Sequence, residues 1–589
     1  MRVVRELAAL AFLGALALPA FAQQAADTVS PEARSAIEAK QPVRATRQMV
    51  VAANPLAAQA GLEMLRAGGS AADAAVAVQT VLGLVEPQSS GLGGGAFLAW
   101  YDAKTGTMTT FDGRETAPAA ATPELFLGAD GKPLDFFDAV IGGRSVGVPG
   151  VPRLIETVHR KYGKLAWAGL MEPAIKLAEG GFAISPRLNR MITEDIGRLD
   201  TQAETRAYFY DAFGSPRATG AMLRNPDYAQ TLRAMAEGGA DAFYKGPLAG
   251  RIVAVVNGHP TNPGKLGLED LAAYQVQERA AVCAPYRGYS VCGMGPPSSG
   301  ALTIGQILGL IEPFDIATLG NDDPESWRII GDASRLAFAD RERFIADSDF
   351  VRVPKGLLDA DYLKARSALI RRPTALPDDQ AKAGEPPWDK AGLDGAELRV
   401  DGKTFDMPAT SHFVVVDADG NVAAMTTSVE NAFGSRQMAG GFILNNQLTD
   451  FSFAPEKDGT AVANRVEPGK RPRSSMAPTI VLKDGKPAFA LGSPGGSSII
   501  PYVATTLVGL IDWKLDMQAA ISMPHMLNRF GIYELEAGTS AEGFAKDLEA
   551  LGYKVKIGDQ NSGLHGVAIT PDGLTGGADP RREGVALGD

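Results

Sequence analysis

Thr410 places a hydroxyl where a charged, proline-bearing stretch gives way to an alternating apolar strand, with the small Ala409 before it and Ser411-His412 after it. A hydroxyl at such a junction can attack its own preceding carbonyl, cut the chain between Ala409 and Thr410, and leave a new N-terminal threonine. The freed α-amine, with an ordinary pKa of about 7.7 to 8.0, is then a base beside the hydroxyl of the same residue. Such a nucleophile carries its own activator. If Ala418-Asp419-Gly420 is a three-residue turn, the flanking strands fold back so that Thr410 faces Ser428. The second hydroxyl can orient the first, although two ordinary strand hydroxyls would give the same letters. Further on, GSPGGSS at 492–498 lets the N–H groups around Gly495 and Gly496 converge on one spot, as an oxyanion hole requires. Pro-Gly-Gly is also a common tight turn. Arg114 in DGRETAP and the pair Ser474, Ser475 behind KRPR are carboxylate-binding types, since a guanidinium grips a carboxylate through two parallel hydrogen bonds. Alone, Arg114 also fits a surface ion pair.

Holding these groups together takes a scaffold, and its elements can be read from caps and periodicity. Asn54-Pro55 starts a helix that Gly68-Gly69 ends, and Ser70 starts an Ala-rich helix to about Val85. The loop SSGLGGGAF then leads into a strand around Phe97 to Tyr101. From about 150 to 350 helical periodicity dominates, as at 153–162 and 327–346. Between Arg371 and Pro408 stand five prolines and many charges without an apolar period, which reads as a linker or surface excursion. After it come strands at His412–Val416 and Val422–Ser428, others at Thr479–Leu482 and Phe489–Leu491, and helices expected at Met517–Leu527 and Ala541–Leu551.

The 589 residues are 45% hydrophobic and 21% charged, ordinary values for a globular protein with a sizeable core. Lys+Arg 57 against Asp+Glu 68 gives a formal charge of −11, the wrong sign for a nucleic-acid partner. Residues 1–22 carry Arg2 and Arg5, an apolar run from Leu7 to Leu18, and Ala20-Phe21-Ala22, the pattern of a secretory signal cut after Ala22. An exported, periplasmic protein is expected, with no membrane span, because no later stretch reaches 18 apolar residues. Export permits a disulfide. With Arg287-Gly288 as a two-residue turn, Cys283 and Cys292 stand opposite each other, either bridged or as two buried thiols. The histidines at 159, 259, 412, 525 and 565 have no metal-ligand spacing, so no metal is expected. Gly91-x-Gly93-x-x-Ala96 imitates a dinucleotide loop but follows a helix instead of a strand, so no cofactor is expected either.

Taken together, GGSAADAAVA with SSGLGGG, DGRETAP, PPSSG, TSHFVVVDADGNV, NNQLTDFS, RPRSSMAPT, GSPGGS and ADPR, in that order from about residue 46 onward, resemble the γ-glutamyltranspeptidase (glutathione hydrolase) family of N-terminal nucleophile hydrolases. The resemblance implies an α+β fold, a four-layer αββα sandwich built jointly by two subunits of one self-cleaved zymogen. Cleavage between Ala409 and Thr410 would leave a large subunit (23–409, with 371–408 as the proline-rich linker) and a small catalytic one (410–589). It also implies that Thr410 attacks the γ-amide carbonyl, with Ser428 as assisting hydroxyl and Gly495 and Gly496 at the oxyanion. Arg114, Ser474 and Ser475 would hold the substrate's α-carboxylate, and Gln447 and Asp450 its α-ammonium. The acyl group would pass to water or to an amino-acid acceptor, the substrates being glutathione or other γ-glutamyl compounds.

Where many members have Asn beside the α-ammonium, this chain has Glu430, which can strengthen a cation site or shift the preferred substrate. Relatives acting as glutaryl or cephalosporin acylases share the same parts, and that is the alternative activity. An exported binding protein that had lost cleavage is the alternative outside enzymes. It sits poorly with the retention of Thr410, the paired glycines and Arg114. A serine hydrolase built on Gly143-Arg-Ser145-Val-Gly147 fails because no helix can begin directly after Ser145.

Overall fold

The computed structural model describes residues 37–388, 399–402 and 409–589. The expected signal segment and the linker residues 389–398 and 403–408 lie outside the described residues. The chain forms a mixed α/β fold with two seven-stranded sheets. One runs in the order Val585–Gly588, Met49–Ala52, Ala409–Val416, Val422–Glu430, Gly95–Asp102, Thr107–Gly113 and Gln277–Ala280. The other runs Val43–Ala45, Gly573–Ala578, His565–Thr570, Lys486–Gly492, Thr479–Lys483, Tyr289–Gly293 and Val282–Tyr286.

Alternation along the strands sends side chains to two different cores. Val414 and Ala424 of the first sheet join Ile480, Ala490 and Val567 of the second in one apolar cluster. Their strand neighbours Phe413, Val415, Ala423 and Met425 face the other way, into a cluster with the helices Pro55–Arg66 and Ala71–Val85. Val481 and Leu491 of the second sheet pack with Gly300–Ile311, Pro324–Phe344 and Ile499–Ile511. Strand Ala409–Val416 is therefore buried on both faces, in keeping with its apolar run Phe413–Val416.

Local chemistry fixes the element ends. The Asn54 side chain accepts from Leu56 N at 3.0 Å, and Ser70 and Asp73 form a reciprocal capping box. The helix expected at Met517–Leu527 is shorter, Met517–Ser522, because Pro524 cannot continue it; Met526–Leu527 is instead a short strand. The expected helix at 541–551 splits into a 3₁₀ turn, Ser540–Phe544, and a helix, Ala545–Ala550. Arg287 and Gly288 both have positive φ, making the tight turn that pairs Cys283 with Cys292, and the two sulfurs are bonded with Cα atoms 4.1 Å apart. The described part of the proline-bearing stretch is not all surface excursion, since Leu376 is buried and its N–H donates to Asp332 at 3.0 Å. Among the described residues no helix is long and apolar enough to cross a membrane, and no group of three His, Cys, Asp or Glu could hold a metal ion.

Candidate active site

The hairpin Ala409–Val416 / Val422–Glu430 turns at Asp417 to Asn421, where the Asp417 carboxylate accepts from the N–H groups of Asp419 and Asn421. Its register sets Thr410 against Ser428. One residue earlier the pairing jumps to Ala409 against Glu430, a bulge that leaves Val429 unopposed and sends Glu430 to a φ of 80°. Backbone outliers of this kind persist where surrounding contacts over-determine them. Here Glu430 N donates to Ser428 Oγ at 2.9 Å and its carboxylate accepts from Asn446.

Ser428 is the hub. Its hydroxyl donates to the carbonyl of Ala409 at 2.7 Å and accepts from Thr410 Oγ1 at 3.2 Å. The Thr410 carbonyl in turn accepts from Arg582 Nη1 at 3.1 Å. Ser411 points to the opposite face and donates to Glu86 at 2.9 Å. Burial pushes the Glu86 carboxyl up to about 6, against the pull of Arg187 and Arg582. Gly95 lies across the sheet from Ser428, and a Cβ on Gly94 would stand 2.1 Å from the Ser428 carbonyl oxygen, so the glycine-rich loop is what lets the backbone come this close.

Arg114 leaves the end of strand Thr107–Gly113 and is buried. It donates to the carbonyls of Pro472 at 3.2 Å and Arg473 at 3.0 Å, and pairs with Asp450. Asp450 ends the 3₁₀ turn Gln447–Asp450 and also accepts from Gln447 Nε2 at 2.8 Å. Ser474 Oγ accepts from Met476 N at 3.1 Å, and Ser475 Oγ accepts from Arg341 Nη2 at 2.7 Å. Thr410, Ser428, Glu430, Gln447, Asp450, Arg114, Ser474, Ser475 and Gly496 all line one cavity of about 270 Å³, its open mouth included. Met476 and Ile499 complete the wall. Gly495 is not on the lining; it has a φ of 136° and stands directly before the 3₁₀ turn Gly496–Ser498. Ser145 is elsewhere, buried, and spends its hydroxyl on the Val140 carbonyl at 2.7 Å.

Several members of this neighbourhood were given no role from the sequence, although Glu115 stands inside DGRETAP. Glu115 is fully buried 3.9 Å from Arg114, and neither carboxyl oxygen has a hydrogen-bond partner. Burial outweighs the adjacent guanidinium and raises its pKa to about 8, so the acid is mostly uncharged at neutral pH. Arg341, Asn446 and Arg582 reach the site from a helix, a turn and the C-terminal loop. Asn446 stands inside the NNQLTDFS motif and Arg582 directly after ADPR, whereas Arg341 lies outside every motif quoted above.

A hydroxyl pair next to a buried Arg–Asp pair can join two tasks, attack on a carbonyl and capture of a zwitterion. Similarity to known proteins points the same way. The family model described as Gamma-glutamyltranspeptidase matches residues 57–589. The chain is 36% identical to the glutathione hydrolase proenzyme of Bacillus subtilis (strain 168), over 92% of this chain and 91% of that one. It is 37% identical to the Acylase ACY 1 proenzyme of Pseudomonas sp. (strain SE83), over 93% and 94% of the two chains. The solved cephalosporin acylase from Bacillus halodurans superposes with a TM-score of 0.81 at 26% identity, covering 95% of this chain and 99% of that one.

Proposed function

The chain belongs to the gamma-glutamyltranspeptidase family, and from that premise we propose how it works as a glutathione hydrolase and γ-glutamyltransferase. The zymogen matures by its own chemistry. Thr410 Oγ1 attacks the Ala409 carbonyl carbon, the C–N bond breaks as the Thr410 nitrogen takes the proton, and water hydrolyses the resulting ester. Ser428 assists by donating to the Ala409 carbonyl oxygen, where negative charge develops. The products are the subunits 23–409 and 410–589, which stay together. The signal 1–22 directs export to the periplasm.

In the mature enzyme the Thr410 amine takes the proton of Oγ1 as that oxygen adds to the γ-carbonyl of the substrate. Ser428 orients the nucleophile, and the backbone at Gly495 and Gly496 receives the oxyanion. The amine of the leaving group accepts the proton, and a γ-glutamyl ester remains on Thr410. Water, or the amine of an amino acid, attacks that ester and frees Thr410.

The observation that carries this reading is the Arg114–Asp450 pair within the cavity that holds Thr410 and Ser428. An α-amino acid end brings a carboxylate and an ammonium together, and so can exchange partners with that pair, its carboxylate taking Arg114, Ser474 and Ser475. Its ammonium takes Asp450, Gln447 and Glu430. A glutaryl group has no ammonium and would leave two buried carboxylates facing an apolar chain, which is costly. The acylase relatives keep a glutaryl or cephalosporin reading in view as the second choice. Three apolar clusters, one shared by the two sheets and one between each sheet and its helices, support the four-layer αββα arrangement.

Purified wild type and Thr410→Ala, run on a denaturing gel and assayed on γ-glutamyl and glutaryl anilides, test the proposal. The wild type should give two bands and prefer γ-glutamyl, and the variant should give one band and no turnover. A single uncut band in active wild type overturns the mechanism, and a glutaryl preference overturns the substrate assignment.

A further inference from the structure

Arg582 sits in the C-terminal loop one residue after Arg581, and the two guanidinium groups are used differently. Arg581 is clamped between carboxylates, donating to Glu536 at 2.5 and 2.6 Å and to Asp579 at 3.1 Å. Arg582 instead donates to the Thr410 carbonyl at 3.1 Å and to the Asn561 side-chain oxygen at 3.2 Å. It is almost wholly buried, at 3% exposure. Main-chain N and O of one extended residue lie roughly 3 to 3.6 Å apart, so the guanidinium comes within about 6 to 7 Å of the Thr410 nitrogen.

We infer that Arg582 is a positioning residue that holds the N-terminal threonine by its carbonyl and keeps its α-amine uncharged, and thus basic, at neutral pH. The inference rests on the cleavage proposed above, since an uncut Thr410 has no amine to titrate. A buried cation at this distance disfavours a second positive charge on the amine, by about one to two pH units.

Other charges surround this point. Glu86 lies behind Ser411, with Arg187, Arg582 and Glu583 all within electrostatic reach of it. Lys40 donates to the Arg582 carbonyl at 2.7 Å, and Arg582 N donates to the Asp579 carbonyl at 3.4 Å. Burial lowers the His565 imidazole most, and Lys40 and Arg582 push it down further. His412 follows Thr410 by two residues on the same strand, and Glu430 lines the cavity with Thr410. Glu86, Glu583 and Glu430 oppose the effect; removing Arg582 alone isolates its share.

The test compares matured wild type with Arg582→Gln, Arg582→Lys and Asn561→Asp, measuring kcat/KM for a γ-glutamyl anilide against pH. The acidic limb reports the amine of the free enzyme. It should rise by about one pH unit in Arg582→Gln, where the charge is gone, and also in Asn561→Asp, where a carboxylate faces the guanidinium. Arg582→Lys keeps a cation and should stay near wild type. An unmoved limb in cleaved Arg582→Gln overturns the inference, because loss of mere packing would lower the rate without moving the limb. If Arg582→Gln and Asn561→Asp remain uncut, the pH dependence of Thr410 carbamylation by cyanate in the wild type decides. A midpoint below about 7 supports the inference, and one at or above 7 overturns it, given an ordinary α-amine at about 7.7 to 8.0. Absence of any free Thr410 amine in active wild type would instead sink the cleavage itself, so the two failures can be told apart.

Discussion

Ser428 makes three hydrogen bonds at once, to the Ala409 carbonyl, the Thr410 hydroxyl and the Glu430 N–H, and in the proposed mechanism it therefore serves both the bond to be cut and the group that cuts it. Ser428→Ala should therefore slow maturation and subsequent turnover alike, each by about tenfold to a hundredfold, the range one to two hydrogen bonds to reacting groups supply. Band intensities over time and kcat on fully cut protein measure the two effects separately. Asp450→Asn tests the proposed zwitterion site. It should raise KM for γ-glutamyl anilide by about a hundredfold, since a charge-assisted bond to the ammonium is lost, and change glutaryl anilide far less. An equal loss on both substrates would mean that Asp450 serves only to hold Arg114. The residue types at Thr410, Arg114 and Gly496 were legible as chemistry in the sequence. Glu115 was not, because its raised pKa comes from burial, which no single letter encodes.

Among the elements, the hairpin that carries Thr410 and the glycine-rich loop depend on each other. Gly94→Ala should destabilise the protein by more than about 2 kcal/mol and inactivate it, because its Cβ would meet the Ser428 carbonyl oxygen at 2.1 Å and backbone must shift. Gly68→Ala is the comparison. Gly68 has a positive φ but open space around it, so only the strain of about 1 kcal/mol is expected, and activity should survive. Thermal melts and specific activity of the two variants check the contrast. The turn at Asp419-Gly420 made the opposition of Thr410 and Ser428 readable in advance, since turn length fixes register. The bulge at Ala409/Thr410 was not readable, because it depends on Glu430 being held at positive φ by Ser428 and Asn446.

On the scale of the whole molecule, three histidines are buried neutral. Burial lowers His412 and His525 well below the usual value and His565 to about 3. An unfolded chain takes up these protons below about 6.5, so the unfolded state binds more protons and stability is lost as pH falls from about 6.5 towards 3. Glu86 and Glu115 work in the opposite sense. Their raised values mean the folded state holds extra protons, and stability falls as pH rises from about 4.5 to about 6 and 8 respectively. His565→Gln should therefore lose stability less steeply on acidification, by about 1 kcal/mol per pH unit between 6 and 4. Denaturant midpoints of wild type and variant across that range are the measurement. Parallel slopes would show that His565 does not stay neutral in the folded protein.

Each family motif, the turn length that sets the register of the Thr410 hairpin and the caps that set most helix starts were legible, because each depends on residues a few positions apart. Bringing Arg114, Asp450 and Thr410 to one cavity was left to the tertiary structure, as was setting Arg582 against Thr410, 172 residues away in the chain. Such meetings are decided by how two sheets and their helices pack. The electrostatics that tune each group follow from the burial that packing creates.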